Sequence, residues 1–350
     1  MNLPLMRKTL QGAVSQAISP HVGLWLSRGW KEFSQDEHDC KGGHLDRACE
    51  QTPSPLYKLA YERWKQLTAD TARFRSLYMR LPQRLFIGLS TASAIETGVC
   101  TSHSYGMPMI PGSSVKGAVR AHAAAIGVPV EYLAALFGED ETTAAAAKRV
   151  PGAGSLVWHD AWWIPDSAPR PFVRDVVTVH HQQYYAGKGE ATDFDSPIPN
   201  VQIAVGGGFH FVVEGDAAWT DLALKLLQKA LTESGIGAKR AAGYGFMEVD
   251  QKAMDKAKKA QNEVLIQALD PAGKVRFQLS DLSEKKLAEK FGKGFNATKS
   301  EYSEAEWVLV PKIGLELHGE LIRSWSKETK KTNNAKAKAY KFFMGLKGED

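Results

Sequence analysis

Three cysteines in 350 residues leave no disulfide framework, and no apolar run reaches the length needed to cross a bilayer. No credible signal peptide opens the chain, since Arg7-Lys8 precedes only the polar-interrupted run Thr9 to Ile18. A reduced, cytoplasmic setting without a membrane is therefore expected. Familiar catalytic signatures are missing as well. There is no Walker A sequence, no Gly-x-Ser-x-Gly elbow and no His-Glu-x-x-His, so nucleotide hydrolysis, α/β-hydrolase chemistry and zincin chemistry lack their usual marks. One metal-like spacing exists, His38, Cys40, His44 and Cys49. It fits no zinc knuckle and reads as a polar loop, so neither a metal nor a cofactor is expected.

Charge is nearly balanced, with 44 Lys+Arg against 39 Asp+Glu, a net of +5. The imbalance is local: residues 251–350 hold 20 basic and 14 acidic side chains, which leaves the first 250 residues slightly negative. Three regions follow: 1–82, a loop and a long amphipathic helix; 83–250, a core with insertions; and 251–350, a basic, largely helical extension. Apolar residues from Leu56 to Leu81 keep a helical period, which predicts a helix over 55–81 ended by Pro82. Arg84 to Ser90 reads as a buried strand, Ser155 to Ile164 and the start of Val173 to Tyr185 as strands. Gln202 to Glu214 is expected as one strand bulged at Gly206-Gly207-Gly208, followed by a helix from Trp219 to Ser234 and a strand from Tyr244 to Val249. That order predicts an α+β fold with a ferredoxin-like βαββαβ core. In the extension, helices are expected at 251–269 and 283–291, a short strand at 274–279, and a mobile basic arm from Lys327 to Lys341 that contacts phosphates when bound.

Two stretches join backbone turns to fixed positive charge. In the first, Tyr105 to Arg120, Pro111-Gly112 ends an extended segment, Ser113 and Ser114 open a helix, and Lys116 and Arg120 stand four apart on one stripe. Ser113 is expected to cap that helix, whose free N–H groups would seat an anion. The second runs from Gly235 to Gly245: Gly235, Gly237, Gly243 and Gly245 permit positive φ, and Lys239 and Arg240 charge its crown. It is no dinucleotide fingerprint, because the helix precedes the turn and the strand follows it. Both patterns suit a phosphate chain, and both also occur as plain caps and connections. Further candidates are His180 and His181 beside Tyr184 and Tyr185, with Asp160, Asp175, Asp193 and Asp195 as other titratable groups. The histidines could act as acid or base in metal-independent RNA cleavage, or they and the tyrosines could contact bases or pack; the second is preferred. No Lys/Arg-Gly-Phe/Tyr signature of an RRM lies on the strands, so stacking of bases on the sheet is not expected.

These stretches resemble the RAMP superfamily of CRISPR-associated RNA-binding proteins. Residues 105–117 resemble its "IPGSSLKG" motif and residues 235–245 its glycine-rich loop, in the expected order. Val22 to Leu26, Glu96-Thr97-Gly98, and Asp175 to Tyr185 followed by Asp195 to Pro199 are similar to the sixth RAMP subunit of type III-B, or Cmr, effector complexes. The resemblance covers about residues 20–250. It implies a cytoplasmic ribonucleoprotein whose RAMP subunits line a guide RNA (crRNA) and pair it with target RNA, with this subunit near the guide's 3′ end. Its implied partners are the other Cmr-type subunits, including the backbone RAMP and the small helical subunits. Target cutting would belong to the backbone subunit, leaving this chain no catalytic residue. The implied RNA contacts are Ser113, Ser114, Lys116, Arg120, His180, His181, Tyr184, Tyr185, Gly235, Gly237, Lys239, Arg240, Gly243 and Gly245.

Overall fold

The computed structural model describes residues 3–346 apart from 5, 17–20, 31, 34–39, 91–94, 140, 147, 149, 180, 193, 195, 294 and 329–333. It divides into two compact units, Met1–Met254 and Asp255–Asp350. No helix among the described residues is long and apolar enough to cross a membrane.

In the first unit, α1 (Val22–Arg28) and α2 (Cys40–Cys49) precede α3 (Pro55–Leu67). The Ser54 hydroxyl caps α3 by accepting from the Tyr57 N–H, and Pro55 sits in its first turn. The helix expected over 55–81 stops at Leu67, and Phe74–Arg80 is instead a central strand, β1. Two local bonds cause the break. The Thr68 hydroxyl donates back to the Trp64 carbonyl, and the Asp70 carboxylate accepts from the Ala72 N–H at 2.9 Å, closing a turn. Phe74, Leu77, Tyr78 and Leu81 satisfy helical spacing by coincidence, while Ser76 and Tyr78 alternate with Leu77 and Met79 as a strand requires.

Beyond it come β2 (Met109–Ile110), α4 (Gly112–Ala125), α5 (Val130–Phe137), β3 (Val157–Trp158), β4 (Ala161–Trp163), β5 (Phe172–Val179), β6 (Ile198–Val205), β7 (Gly208–Glu214), α6 (Ala217–Lys229) and β8 (Glu248–Val249). The main sheet runs β8-β1-β7-β4-β2 with β3 also on β7, all pairs antiparallel. Arg84 to Ser90 forms only isolated bridges, Leu85 to Val205 and Phe86 to Ala238, although Leu85, Phe86 and Ile87 are buried as expected. The strand expected over 155–164 breaks at His159-Asp160, and the one over 202–214 breaks at Gly206-Gly207. There Gly207 has φ +93°, and a Cβ would lie 2.7 Å from the Trp163 ring nitrogen. Its first half pairs instead with β5 as a separate two-stranded hairpin, in register from Val205 with Phe172 to Ile198 with Val179.

The two faces of the main sheet are both covered. Tyr78 stacks on His210 at 4.3 Å between ring centroids, and α3 lies over them: Tyr61 meets His210 edge-on, while Tyr57 and Trp64 stack on Trp162. Leu77, Met79, Phe209 and Phe211 point the other way by strand alternation and are fully buried, with Val115, Val119, Leu226 and Leu227 of α4 and α6 in the same core. A sheet face covered in this way offers no platform for bases.

After β8, α7 (Gln251–Ala268) leads into the second unit. This unit holds α8 (Pro271–Ser280), α9 (Glu284–Ala288), α10 (Phe295–Ser300), α11 (Glu304–Ser324) and α12 (Ala335–Phe343). Its own core gathers Val275, Leu279, Leu287, Phe291, Val310, Ile313, Ile322, Trp325 and Phe343. Two expectations fail here. Residues 274–279 lie in a helix, because Asp270 caps it and Pro271 opens it. Nor is the arm expected over 327–341 mobile throughout, for from Ala335 on it is α12, with Ala337, Ala339 and Phe343 buried in that core, while 329–333 lie outside the described residues.

Candidate nucleic-acid interface

The first motif helix, α4, begins two residues earlier than expected. Pro111 takes the cap position, with no side-chain cap bond, and Ser113 lies exposed inside the first turn. Gly112 is required because a Cβ there would fall 2.1 Å from the Trp158 carbonyl oxygen. Its N–H donates to the Asp160 carboxylate at 2.7 Å, so the anion seat expected at this helix end holds the chain's own carboxylate. Charge remains further along. Val115, Val119, His122 and Ala123 are buried, which leaves Lys116 and Arg120 half-buried on the next stripe, one turn apart. Among the described residues neither makes an ion pair.

The four glycines of the second motif have φ of +67° (Gly235), +88° (Gly237), +91° (Gly243) and +79° (Gly245), all in the region that favours glycine. A Cβ on Gly237 would meet the Phe86 carbonyl oxygen at 2.3 Å, and one on Gly245 the Ile236 carbonyl oxygen at 1.9 Å. The loop's N–H groups turn inward: Ile236 donates to Gly245 at 2.9 Å, Ala238 to Phe86 at 2.8 Å and Gly245 to Arg84 at 2.9 Å. A cradle of N–H groups around one anion, as expected from the glycines, is therefore not what this loop builds. It presents Lys239 and Arg240 instead, both exposed, with Arg240 also donating to the Ser234 carbonyl at 3.3 Å.

Backbone bonds carry one motif to the other. Ala238 donates to Phe86, Cys100 to Ile87 at 2.8 Å, and Met109 of β2 to Cys100 at 3.1 Å, two residues before Pro111. Gly88 sits in the middle with φ +78°, where a Cβ would lie 2.8 Å from the Cys100 nitrogen. Two clefts of about 380 Å³ each meet at this glycine. One reaches Thr97, Thr101, Pro111 and Ser114, the other Ser90, Gly237 and Ala238. At the far end of α4, His122 Nδ1 lies 2.8 Å from the Ser234 hydroxyl, immediately before Gly235.

The third group of candidates stands apart. Tyr184 and Tyr185 are 54% and 74% exposed, with rings edge-on at 5.7 Å, on the short helical turn Gln182–Tyr185 beyond β5. His181 is half-buried before them, whereas His180, Asp193 and Asp195 lie outside the described residues. Among the described residues no ring contact joins these tyrosines to either motif. The base of their hairpin is nevertheless tied to the glycine loop. Asp175 on β5 accepts from the Tyr244 hydroxyl at 3.0 Å and pairs with Arg84 at 3.0 Å. Burial and this bond raise the Tyr244 phenol above its usual range. Arg84 and Tyr244 were not singled out by sequence, because their role rests on a partner 69 to 91 positions away.

The metal-like spacing is spent on packing where it is described. Cys40 to Cys49 is one helix, and His44 stacks on Trp25 at 4.4 Å with Nε2 3.1 Å from the Trp25 carbonyl. Burial lowers His44 to about 4 and raises the buried Cys49 thiol to about 11. His38 lies outside the described residues.

Comparison with known proteins bears on the same region. Residues 80–248, which contain both motifs, match the RAMP superfamily. The CRISPR system Cmr subunit Cmr6 of Pyrococcus furiosus is 27% identical over a match covering 56% of this chain and 75% of that protein. A chain of the type III-B Cmr-beta complex bound to cognate target RNA superposes with a TM-score of 0.50 at 18% identity, covering 60% of this chain and 71% of that one, a likeness of fold. With both motifs in order inside the matched region, residues 80–248 resemble the RAMP superfamily of CRISPR-associated proteins, and the chain is similar to the sixth RAMP subunit of Cmr complexes.

Proposed function

We propose that this protein is a non-catalytic RNA-binding subunit of a type III-B CRISPR ribonucleoprotein, active in the cytoplasm in antiviral defence. It would contact the guide RNA backbone near its 3′ end, help seat target RNA, and join the backbone RAMP and small helical subunits. The observation that carries this reading is the backbone path from Ala238 through Phe86 and Cys100 to Met109, which brings two cation-bearing stretches to adjoining clefts. Lys116, Arg120, Lys239 and Arg240 suit sequence-tolerant contact with phosphates, because fixed cations read charge and not bases. The sheet order β8-β1-β7-β4 with α4 and α6 also supports a ferredoxin-like core. Its first strand would be β1, not the 84–90 segment.

Replacing Lys239 and Arg240 with Ala tests the reading. The slope of log affinity against log salt should flatten by about 1.4 units for single-stranded RNA and about 1.8 for duplex, because each lost contact releases about 0.7 to 0.9 of a counterion fewer. An unchanged slope takes the loop out of the RNA path. The other expectation, a metal-independent endoribonuclease using His180 or His181, has no observation in its favour. It would show as cyclic phosphate ends formed by the pure protein in EDTA.

A further inference from the structure

The second unit lies beyond the residues that match the RAMP superfamily, and it has a core of its own. We propose that the outward face of its helix 284–293, formed by Lys285, Lys286 and Lys293 with Lys299 on the adjoining α10, is a second binding surface for the phosphate backbone of RNA.

The helix α9 continues without a break into a wide turn, Glu289–Lys293. Leu287, Ala288, Phe291 and Gly292 bury its inner side, where Phe291 meets Phe343 of α12 at 5.0 Å and a Cβ on Gly292 would lie 2.1 Å from the Ala335 carbonyl oxygen. Packing on that side fixes which residues face out. Lys285, Lys286, Glu289 and Lys293 are all exposed, as is Lys299.

Several acidic residues of this unit are engaged elsewhere. Glu284 accepts from Lys336 at 2.7 Å, Glu301 pairs with Lys290 at 2.7 Å, and Glu316 with Arg276 at 2.6 Å. Glu306 closes the capping box of α11 with Ser303, and Asp270 caps α8. Lys285, Lys286, Lys293 and Lys299 make no ion pair among the described residues, and Glu289 is the one acid standing between them. The exposed side of 285–299 thus carries four lysines against one acid, Glu289.

The chemistry of this face favours a polyanion over a protein surface. No large apolar side chain is exposed between Lys285 and Lys299 among the described residues, whereas the centre of a protein interface is apolar or aromatic and poor in lysine. Solvated lysines on a rigid support are what sequence-independent contact with a nucleic-acid backbone uses.

The full chain with Lys285→Ala, Lys286→Ala and Lys293→Ala should bind two unrelated single-stranded RNA oligonucleotides about 10-fold or more weakly at roughly 0.1 M salt. Its salt slope should flatten by about 2 units, at about 0.7 per contact. Replacing the same three lysines with Arg should restore both values, which a loss of fold would not allow. Unchanged affinity and slope in the Ala variant overturn the proposal, even if entry into a complex is lost, because that outcome marks a protein-docking face. Lys239→Ala/Arg240→Ala measured alongside separates this surface from the core: a flattened slope in one variant alone assigns the RNA to that surface alone.

Discussion

His122 Nδ1 lies 2.8 Å from the Ser234 hydroxyl, which joins the last turn of the first motif helix to the residue before Gly235. His122 is 4% exposed, and its other ring nitrogen makes no hydrogen bond among the described residues, lying 3.7 Å from the Glu233 carboxylate. Ser234→Ala therefore removes the ring's one hydrogen bond and leaves only the longer contact with Glu233. Stability should fall by about 1 to 3 kcal/mol, the cost of leaving a buried polar atom unpaired. Equilibrium denaturation measures it; a loss under about 0.5 kcal/mol would show that the pair does not hold the two motifs together.

Glycines in the two motifs should respond in opposite directions. Gly237→Ala and Gly245→Ala combine positive φ with carbonyl oxygens at 2.3 Å and 1.9 Å, so each should cost at least about 2 to 3 kcal/mol or prevent folding. Gly117 lies inside α4, with nothing within 4 Å of an added Cβ. Gly117→Ala should stabilise the fold by about 0.5 to 1 kcal/mol. Thermal melts compare the three. If Gly117→Ala also weakens RNA binding, the bare backbone at that turn is where the RNA comes close.

Buried histidines give the protein a particular response to acid. His210, wholly buried against Tyr78 and bonded to Ser76 at 3.0 Å, is lowered by burial to about 3, and His44 to about 4. Unfolded, both titrate near 6.5, so between about 6.5 and 4 the unfolded chain takes up protons that the folded one refuses. Stability is full above that window and falls by about 1.4 kcal/mol per pH unit for each ring as pH drops through it. His210→Phe should halve this dependence between pH 6 and 5, measured by urea titration. An unaltered slope would mean that the ring is hydrated in the fold.

Tyr61 tests the cover over the sheet. Its hydroxyl is buried with no bonded partner among the described residues, while the ring packs on His210. Tyr61→Phe should leave stability unchanged or raise it by up to about 1 to 2 kcal/mol. A marked loss on denaturation would reveal a bond to bound water at that site.

Legibility in the sequence followed the range of the forces involved. The positive φ of Gly235, Gly237, Gly243 and Gly245, the burial of Val115 and Val119, and the helix of 251–268 are local consequences of residue type and period, and they were readable. β1 was not, because Phe74 to Leu81 fits two periods and the choice falls to its pairing with β7. The capping of Gly112 by Asp160 and the Asp175, Arg84 and Tyr244 contacts were hidden for the same reason: their partners are far apart in the chain. Lys327 to Lys341 reads as a mobile arm because its charges outnumber its apolar residues. Ala337, Ala339 and Phe343 suffice to bury one side.

Cross-linking of RNA to the protein, with adducts mapped by mass spectrometry, tests the central claim most directly. If the two motifs form one RNA path, adducts should fall within residues 113–120 and 237–245 in the same preparation, and both sets should decline together as salt rises. Adducts confined to one stretch, or to neither, would contradict it.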